Sequence, residues 1–422
     1  MTNQIYTGDC FEKLPALDAN SVHAIVTDPP YGLAFMGRSW DDFEPKEYQA
    51  WCEKWATECL RVLKPGGHLL AFSGNRTHHR LMSGIEDAGY EIRDTITWHY
   101  GSGFPKALDV SKAIDKQADA DREVVGTRDD GATKLMEQRP WNQRDDYNGE
   151  MDITQPATEQ AKQWDGFKSA LKPATEFVCV ARSPLAEDTI AENVVAHGTG
   201  ALNIDACRIE TGDIETQIYQ RNDSRSGELY IGDDDGSEHG DEVVTSATNQ
   251  GRYPSNVVFD AQQADVLDDE VGELSSGKLT AEMNNNADST PFERTHGEFE
   301  RRAQKKDYEQ NSGGPSRYFY TSKASKAERT LDGKIDNAHP TVKPIDLMEW
   351  LVQLATAKEQ IVLDPFAGSG TTCKAAKNKT RQFIGIEQQA KWADVARVRS
   401  GLPPDDHSHI RSDDEQHGLE QF

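Results

Sequence analysis

The chain of 422 residues is poor in cysteine, and its six cysteines (Cys10, Cys52, Cys59, Cys179, Cys207 and Cys373) form no Cys-x-x-Cys pair and no cluster with histidine. That argues against a zinc ribbon or a disulfide framework and leaves reduced, structural thiols. No apolar run approaches the roughly 20 residues that span a bilayer. Met1-Thr2-Asn3-Gln4 has no basic start, so a cytoplasmic protein without a membrane partner is expected. Gly-Lys-Ser/Thr is missing, as is Gly-x-Gly-x-x-Gly, which excludes a P-loop and a dinucleotide fingerprint. No internal repeat is present. Basic residues are scarce: 46 Lys and Arg face 72 Asp and Glu, for a net charge of −26. A polyanionic partner should be repelled by such a chain at low ionic strength.

What is present begins with Ala24-Ile25-Val26-Thr27-Asp28-Pro29-Pro30-Tyr31-Gly32. Val22, Ala24, Ile25 and Val26 predict a short buried strand, rich in β-branched side chains. Pro29 and Pro30 end it, because proline cannot donate to a ladder and drives the preceding residue to extended dihedrals. Asp28 and Pro29 are therefore expected in a stiff turn at the carboxyl end of the strand, the edge where open α/β sheets bind ligands. A carboxylate, a proline carbonyl and a flat ring suit a planar ring bearing an exocyclic NH2, whose two protons need acceptors and whose face needs a stacking partner. Taken alone, the four residues are explained equally well by a buried strand, a Pro-Pro turn and a surface tyrosine.

A second strand ends the same way far along the chain, at Ile361-Val362-Leu363-Asp364-Pro365-Phe366-Ala367-Gly368-Ser369-Gly370-Thr371-Thr372. Its glycines allow close approach of backbone to a ligand, and a small-residue helix from Thr371 to Ala376 follows. Phe383-Ile384-Gly385-Ile386 then reads as the next strand and stops at Glu387, where nucleotide-binding α/β units place an acid for ribose hydroxyls.

Asp28-Pro29-Pro30-Tyr31 together with Phe366-Ala367-Gly368-Ser369-Gly370 resembles the DNA amino methyltransferases, which use S-adenosylmethionine to make N6-methyladenine or N4-methylcytosine. The catalytic motif precedes the cofactor motif, an order similar to that family's permuted β group. Tyr6-Thr7-Gly8-Asp9-Cys10 resembles the segment whose acid contacts the cofactor adenine, and His339-Pro340-Thr341-Val342-Lys343-Pro344 is similar to the segment that closes the cofactor pocket. The resemblance implies an α/β fold: a Rossmann-like S-adenosylmethionine-dependent methyltransferase sheet with helices on both faces, plus an inserted target-recognition region. It implies Asp28, Pro29, Pro30 and Tyr31 as catalytic residues. Asp9, Asp364, Phe366, Gly368, Ser369, Gly370, Thr371 and Glu387 follow as cofactor-binding residues, with Thr341 and Lys343 as additions. No metal is implied. Double-stranded DNA is the implied partner, and a homodimer and a cognate restriction endonuclease are consistent with the family. The chain lacks the Pro-Cys nucleophile of the ring-carbon cytosine methylases, which excludes them.

Asp at position 28 leans toward adenine N6 over cytosine N4 in this family. Other readings stay open: a cofactor- or DNA-binding homologue that has lost catalysis, or an RNA or protein substrate. The acidic balance fits the family if the cytoplasm is very salty, since at 1 M the Debye length is about 3 Å and net repulsion is nearly erased. A halophilic source, haloarchaeal or viral, is the expectation. Affinity for DNA would then come from base contacts and stacking more than from a basic groove.

The expected organisation runs from a catalytic half of the core (1–105) through a polar insertion (106–172) and a core strand (173–184) to a target-recognition region (185–317). A cofactor-binding half (318–400) and a disordered acidic tail (401–422) complete it. Residues 32–42, bounded by glycine and rich in aromatics, could be a loop over the site or a plain connector. The stripe Tyr48, Trp51, Cys52, Trp55, Cys59, Leu60, Leu63 predicts a core helix ended by Pro65-Gly66-Gly67, and His78 and His79 read as surface residues. Residues 101–106 resemble a rim of the target pocket, and a glycine-rich turn explains them equally well. The stretch 212–243 is dominated by acids and reads as solvated loop. Arg252, Arg317, Lys323 and Lys326 are the candidate DNA contacts.

Overall fold

A computed structural model describes residues 2–33, 41, 43–101, 107–129, 150–209, 251–275, 312–322, 330–331, 335, 337, 339 and 341–406. In chain order the strands are β1 (Gln4–Thr7), β2 (Val22–Thr27), β3 (Leu63–Ser73), β4 (Glu91–His99), β5 (Val124–Asp129), β6 (Glu150–Thr154) and β7 (Thr175–Arg182). They continue with β8 (Val257–Asp260), β9 (Leu274–Ser275), β10 (Ser312–Gly313), β11 (Tyr320–Ser322), β12 (Ile361–Asp364) and β13 (Gln382–Glu387). The chain forms two compact units, Met1–Gly101 with Thr175–Phe422, and Ser102–Ala174.

The first unit is built on a nine-stranded sheet in the order β1-β13-β12-β2-β3-β7-β4-β8-β11. All neighbours are parallel except β7, which runs antiparallel to both β3 and β4. At its centre the two ends of the chain meet, with Val362 opposite Ala24 and Leu363 opposite Ile25. From β2 the chain leaves through the helix Pro45–Val62 to β3 on one side. From β12 it leaves through the helix Thr371–Asn378 to β13 on the other. This divergence is a topological switch point, and it opens a crevice at the carboxyl ends of β2 and β12.

Period-two alternation sends side chains into two cores, one on each face. Ala24, Val26, Leu70, Phe72, Val178 and Val180 meet Leu347 and Leu351 of the helix Ile345–Ala355. Ile25, Leu69, Ala71, Cys179 and Ala181 meet Cys52, Trp55 and Cys59 of the helix Pro45–Val62 and Leu81 and Ile85 of the helix His78–Asp87. Pro45 starts the first of those helices and its buried stripe includes Tyr48, Cys52, Trp55 and Cys59, as the spacing predicts. All six cysteines are buried and free.

Three expectations need correction. Residues 185–317 are not wholly an inserted region: β8 lies within the main sheet beside β4, and Leu202 and Ile204 pack against the core. The helix Ile190–His197, closed at its start by a Thr189–Glu192 capping box, is held to β3 by Asn193, which donates to the carbonyl of Pro65 at 2.9 Å. The acidic tail begins later than residue 401, because Leu402 packs on the core and Asp405 pairs with Arg397 at 2.8 Å. His78 is half-buried, stacked on Phe177 at 4.6 Å and bonded to Ser73 at 2.6 Å, so it is not a free surface residue. The acidic stretch 212–243 and residues 102–106 of the rim lie outside the described residues.

The second unit holds the helix Val110–Gln117, the antiparallel pair β5–β6 and the helix Glu159–Gln163. Asp115 organises it. Its carboxylate accepts from the amides of Ala157 and Thr158 at 3.0 Å each and from the Thr158 hydroxyl at 2.8 Å, and it pairs with Arg122 at 2.5 Å. Arg122 in turn donates to Thr154 at the end of β6. Asp115→Ala takes this acceptor from the Ala157 and Thr158 amides and removes the partner charge of Arg122. Hydrogen exchange is expected to accelerate across β5–β6 in that variant while the amides of the nine-stranded sheet keep their rates; unchanged β5–β6 exchange would show that Asp115 does not hold the unit.

Candidate active site

The β2 strand ends at Thr27, and the turn after it is pinned from three sides. Tyr48 donates from its hydroxyl to the Pro30 carbonyl at 2.9 Å. Asp41, 1% exposed, accepts from the amide of Gly32 at 2.7 Å and from that of Leu33 at 3.2 Å. Gly32 has φ +66°, and a Cβ there would meet the Tyr48 ring at 2.7 Å, so only glycine lets the chain leave the two prolines in this direction. The rest of the aromatic segment, residues 34–40 and 42, lies outside the described residues.

Asp28 projects from this turn into a cluster of four polar groups. Its Oδ1 accepts from the Tyr31 hydroxyl at 2.8 Å, and its Oδ2 pairs with Lys343 Nζ at 2.9 Å. Glu176 Oε2 lies 3.1 Å from the same lysine and 3.1 Å from the same hydroxyl, and Lys343 donates to that hydroxyl at 3.0 Å. The ammonium also stands over the ring faces of Phe72 at 4.9 Å and Tyr31 at 5.3 Å. Burial pushes the Asp28 carboxyl up, Lys343 pulls it down, and Glu176 pushes it up again, for a net rise. Burial alone would lower the Lys343 ammonium, but the two carboxylates hold it above its ordinary value. Glu176 reaches this edge because β7 is antiparallel: its head lies beside the tail of β3, with Phe177 opposite Ser73.

Beside this turn, one strand away, lies the glycine turn after β12. The two are joined directly, Thr27 Oγ1 donating to Asp364 Oδ1 at 2.7 Å in a buried bond. Asp364 also accepts from the Phe366 amide at 3.1 Å, and burial pushes its carboxyl up to about 6. It is turned inward as a tie beneath both turns. Gly368 has φ +52° and donates its amide to Glu387 Oε2 at 2.9 Å. Gly370 has φ +80°, and a Cβ there would lie 2.7 Å from the Ala396 backbone. Ser369 and Thr371 are buried, and their hydroxyls sit 2.9 and 3.0 Å from Arg399, which donates to both. The Phe366 ring packs near Trp51 at 5.4 Å and Trp55 at 5.6 Å.

Glu387 ends β13. Burial pushes its carboxyl up to about 7, against the amides of Gln389 and Gly368 that favour its charge. Asp9 lies just past the end of the neighbouring β1, capping a short helix through the Phe11 amide at 2.8 Å and accepting from Gln388 at 3.3 Å. The segment around Thr341 crosses between the two turns. The His339 ring lies 3.1 Å from where a Cβ on Gly368 would stand, and Lys343 enters the Asp28 cluster. Lys343, expected as an addition to the cofactor-binding residues, places its ammonium beside Asp28 and the Tyr31 hydroxyl.

Arg252 and Arg317 come together around Tyr318, their guanidinium carbons 4.8 and 4.6 Å from its ring centre. Their donors serve backbone carbonyls: Arg252 bonds Arg317 at 2.9 Å, and Arg317 bonds Gly314 at 2.8 Å and Leu274 at 2.9 Å. Lys323 and Lys326 lie outside the described residues. No helix among the described residues is long and apolar enough to cross a membrane, and none of them form a metal-holding group of His, Cys, Asp and Glu.

A doubly wound sheet whose switch point carries an acidic Pro-Pro turn beside a glycine turn defines the Rossmann-like methyltransferase class. The chain belongs to the DNA methylase family of N6 and N4 methyltransferases, whose profile matches residues 22–190 and 235–397. It is 23% identical over 439 aligned residues to the type II methyltransferase M.HindIII of Haemophilus influenzae, covering 95% of this chain and 96% of that one. It is 32% identical over 117 residues to the type II methyltransferase M.HpaI of Haemophilus parainfluenzae, 27% of this chain and 37% of that one. Among solved structures, the cytosine-N4-specific PvuII DNA methyltransferase aligns over 94% of this chain and 86% of its own, with a TM-score of 0.43 and 14% identity.

Sequence reasoning missed Glu176, Tyr48, Asp41 and Arg399. Glu176 carried one signal, an acid at the head of an otherwise apolar strand, 176–182.

Proposed function

We propose that this chain is a site-specific DNA methyltransferase that moves a methyl group from S-adenosylmethionine to the exocyclic N6 of an adenine flipped out of the duplex. The observation that carries the reading is the junction of the two turns, Asp28 and Asp364 being linked through the Thr27 hydroxyl at the crevice of the sheet.

The residues present fit the cofactor. Glu387 offers a carboxylate for ribose hydroxyls, Asp9 an acceptor for the adenine amine, and Phe366 a ring edge to pack on it. The helix Thr371–Asn378 starts at Gly370 with no side-chain cap, so its first amides are free for the amino-acid carboxylate, with Thr341 alongside. Ser369 and Thr371, bound to Arg399, hold the turn's shape from below. Bound S-adenosylmethionine supplies an electrophilic methyl carbon on a sulfonium.

The protein's task is to make a poor nucleophile attack that carbon, since the amine lone pair is delocalised into the ring. Asp28 and the Pro29 carbonyl accept the two amine protons and so favour a tetrahedral nitrogen with a localised lone pair. The negative Asp28 faces the positive charge that develops there. Pro29 and Pro30 keep both acceptors stiff, and Tyr31 flanks the ring. Positioning beside the glycine turn supplies much of the remaining acceleration. The same acceptors serve N4 of cytosine, so the product nucleoside decides the base. Arg252 and Arg317, grouped on the half-exposed Tyr318, are proposed to meet DNA by stacking more than by phosphate pairing.

The test is transfer of labelled methyl from S-adenosylmethionine to unmethylated DNA from low salt to molar KCl, with the product digested to nucleosides. Label in N6-methyladenine, persisting at molar salt, is the expected result for an acidic protein whose repulsion from DNA is screened. Label in N4-methylcytosine would change the base, and label in neither at any salt, with cofactor bound, would overturn the reading.

A further inference from the structure

Each oxygen of the buried Asp28 carboxylate already has one partner, Tyr31 on one and Lys343 on the other, and an incoming amine shares the carboxylate with them or displaces one. Lys343 has somewhere to go that keeps its charge paired, because Glu176 already lies 3.1 Å away. Two carboxylates share one ammonium, and an amine that takes over Asp28 leaves the lysine to Glu176. That exchange also returns the full charge of Asp28 to the nitrogen that must become positive. The lysine does not leave the pocket: it is 8% exposed, with its stem inside and its ammonium over Phe72.

We infer that Lys343 reads the target base by donating a hydrogen bond to the ring nitrogen next to the methylated amine, and that Glu176 is the positioning residue that holds it there. This rests on the reading of Asp28 as the acceptor for that amine. In adenine the neighbouring atom is N1 and in cytosine N3, each an acceptor beside a donor. An acid and an ammonium side by side, 2.9 Å apart, match that pattern with opposite polarity. Guanine and thymine show the reverse: their carbonyl would face the Asp28 carboxylate and their ring N–H would face the ammonium. The pocket thus admits amino bases and rejects oxo bases through two charged side chains, leaving size to separate adenine from cytosine. A hydrogen-bonding site rejects the mismatched partner strongly because its buried groups are left unpaired.

The test pairs a base analogue with a variant. The methylated site is located by sequencing the labelled product, and duplexes carrying adenine or 1-deazaadenine at that position are compared (cytosine or 3-deazacytosine if the label falls there). In the wild type the deaza base is expected to lower kcat/KM about 10- to 100-fold, the loss of a hydrogen bond to a charged group. Lys343→Met is expected to lower kcat/KM for the natural base by a similar factor and to show no further loss with the deaza base. Lys343→Arg, which keeps the donor, should restore discrimination between the two bases. Thermal melts followed by circular dichroism report that each variant is folded. Losses that multiply independently, or a wild type indifferent to the deaza base, would overturn the role of Lys343 and leave the methyltransferase reading intact. A wild type that labels no natural base would overturn that reading first.

Discussion

Asp28→Ala is expected to lower methyl transfer by at least about 100- to 1,000-fold while S-adenosylmethionine binds with nearly unchanged affinity. The factor follows from removing one preorganised acceptor aimed at developing charge in a water-poor site. The fold should survive, because the substitution leaves the ties around it in place. Thr27 still bonds Asp364, Tyr48 still bonds Pro30, and Lys343 keeps Glu176 and the Tyr31 hydroxyl. Single-turnover transfer of labelled methyl, with cofactor binding measured in parallel, separates the two effects. A variant that retains more than about a tenth of the wild-type rate would remove Asp28 from the chemistry.

Cofactor affinity should weaken as pH falls below about 7, because burial pushes the Glu387 carboxyl up to about that value in the free protein. Ribose hydroxyls donate to the ionised carboxylate, so binding favours the charged form, and protonation competes with the ligand by up to tenfold per pH unit. Above pH 7 the affinity should level off. The stability of the free protein moves the other way. A carboxyl raised from the ordinary 4.5 to about 7 binds its proton more tightly folded than unfolded. Its contribution is fully present at low pH and is lost as pH rises across that window. Glu387→Gln should flatten both dependences and weaken binding about 10- to 100-fold at pH 8, through the lost charged acceptor and the looser Gly368 amide. Calorimetric titrations from pH 6 to 8.5 check this; a wild-type affinity independent of pH would show that Glu387 does not hold the ribose.

Both turns were legible in the sequence because proline and glycine act locally. Pro29 and Pro30 end a strand wherever they stand, and Gly368 and Gly370 occupy positive φ that other residues avoid. The acid at Glu387 followed from the strand–helix–strand order. Glu176 was hidden because its place depends on strand direction: in a parallel β7 it would sit at the opposite edge of the sheet, and no local pattern distinguishes the two. The ion pair of Lys343 with Asp28 was hidden for a related reason. Its segment reaches the glycine turn at His339 and the catalytic turn four residues later, and spacing along a chain without periodic structure does not say where each residue lands. The strand β8 escaped because three apolar residues among polar ones carry no period, and only pairing with β4 and β11 gives them a place. Asp115 and its unit were unreadable because their order comes from a single carboxylate collecting donors from two distant stretches, Arg122 and Ala157–Thr158.

The pairing of β2 with β12 also governs how the molecule is made. The Thr27–Asp364 bond closes a loop of 337 residues, so the middle of the sheet waits until β12 has been synthesised. Until then β2 is an open edge, its backbone groups unpaired on one side and its apolar flanks half covered. Contacts of such long separation are slow to form, because the closure entropy is met before any of them is gained. The arrival of β12 therefore sets when the sheet can close, and until then the nascent segment around β2 is the species most exposed to aggregation.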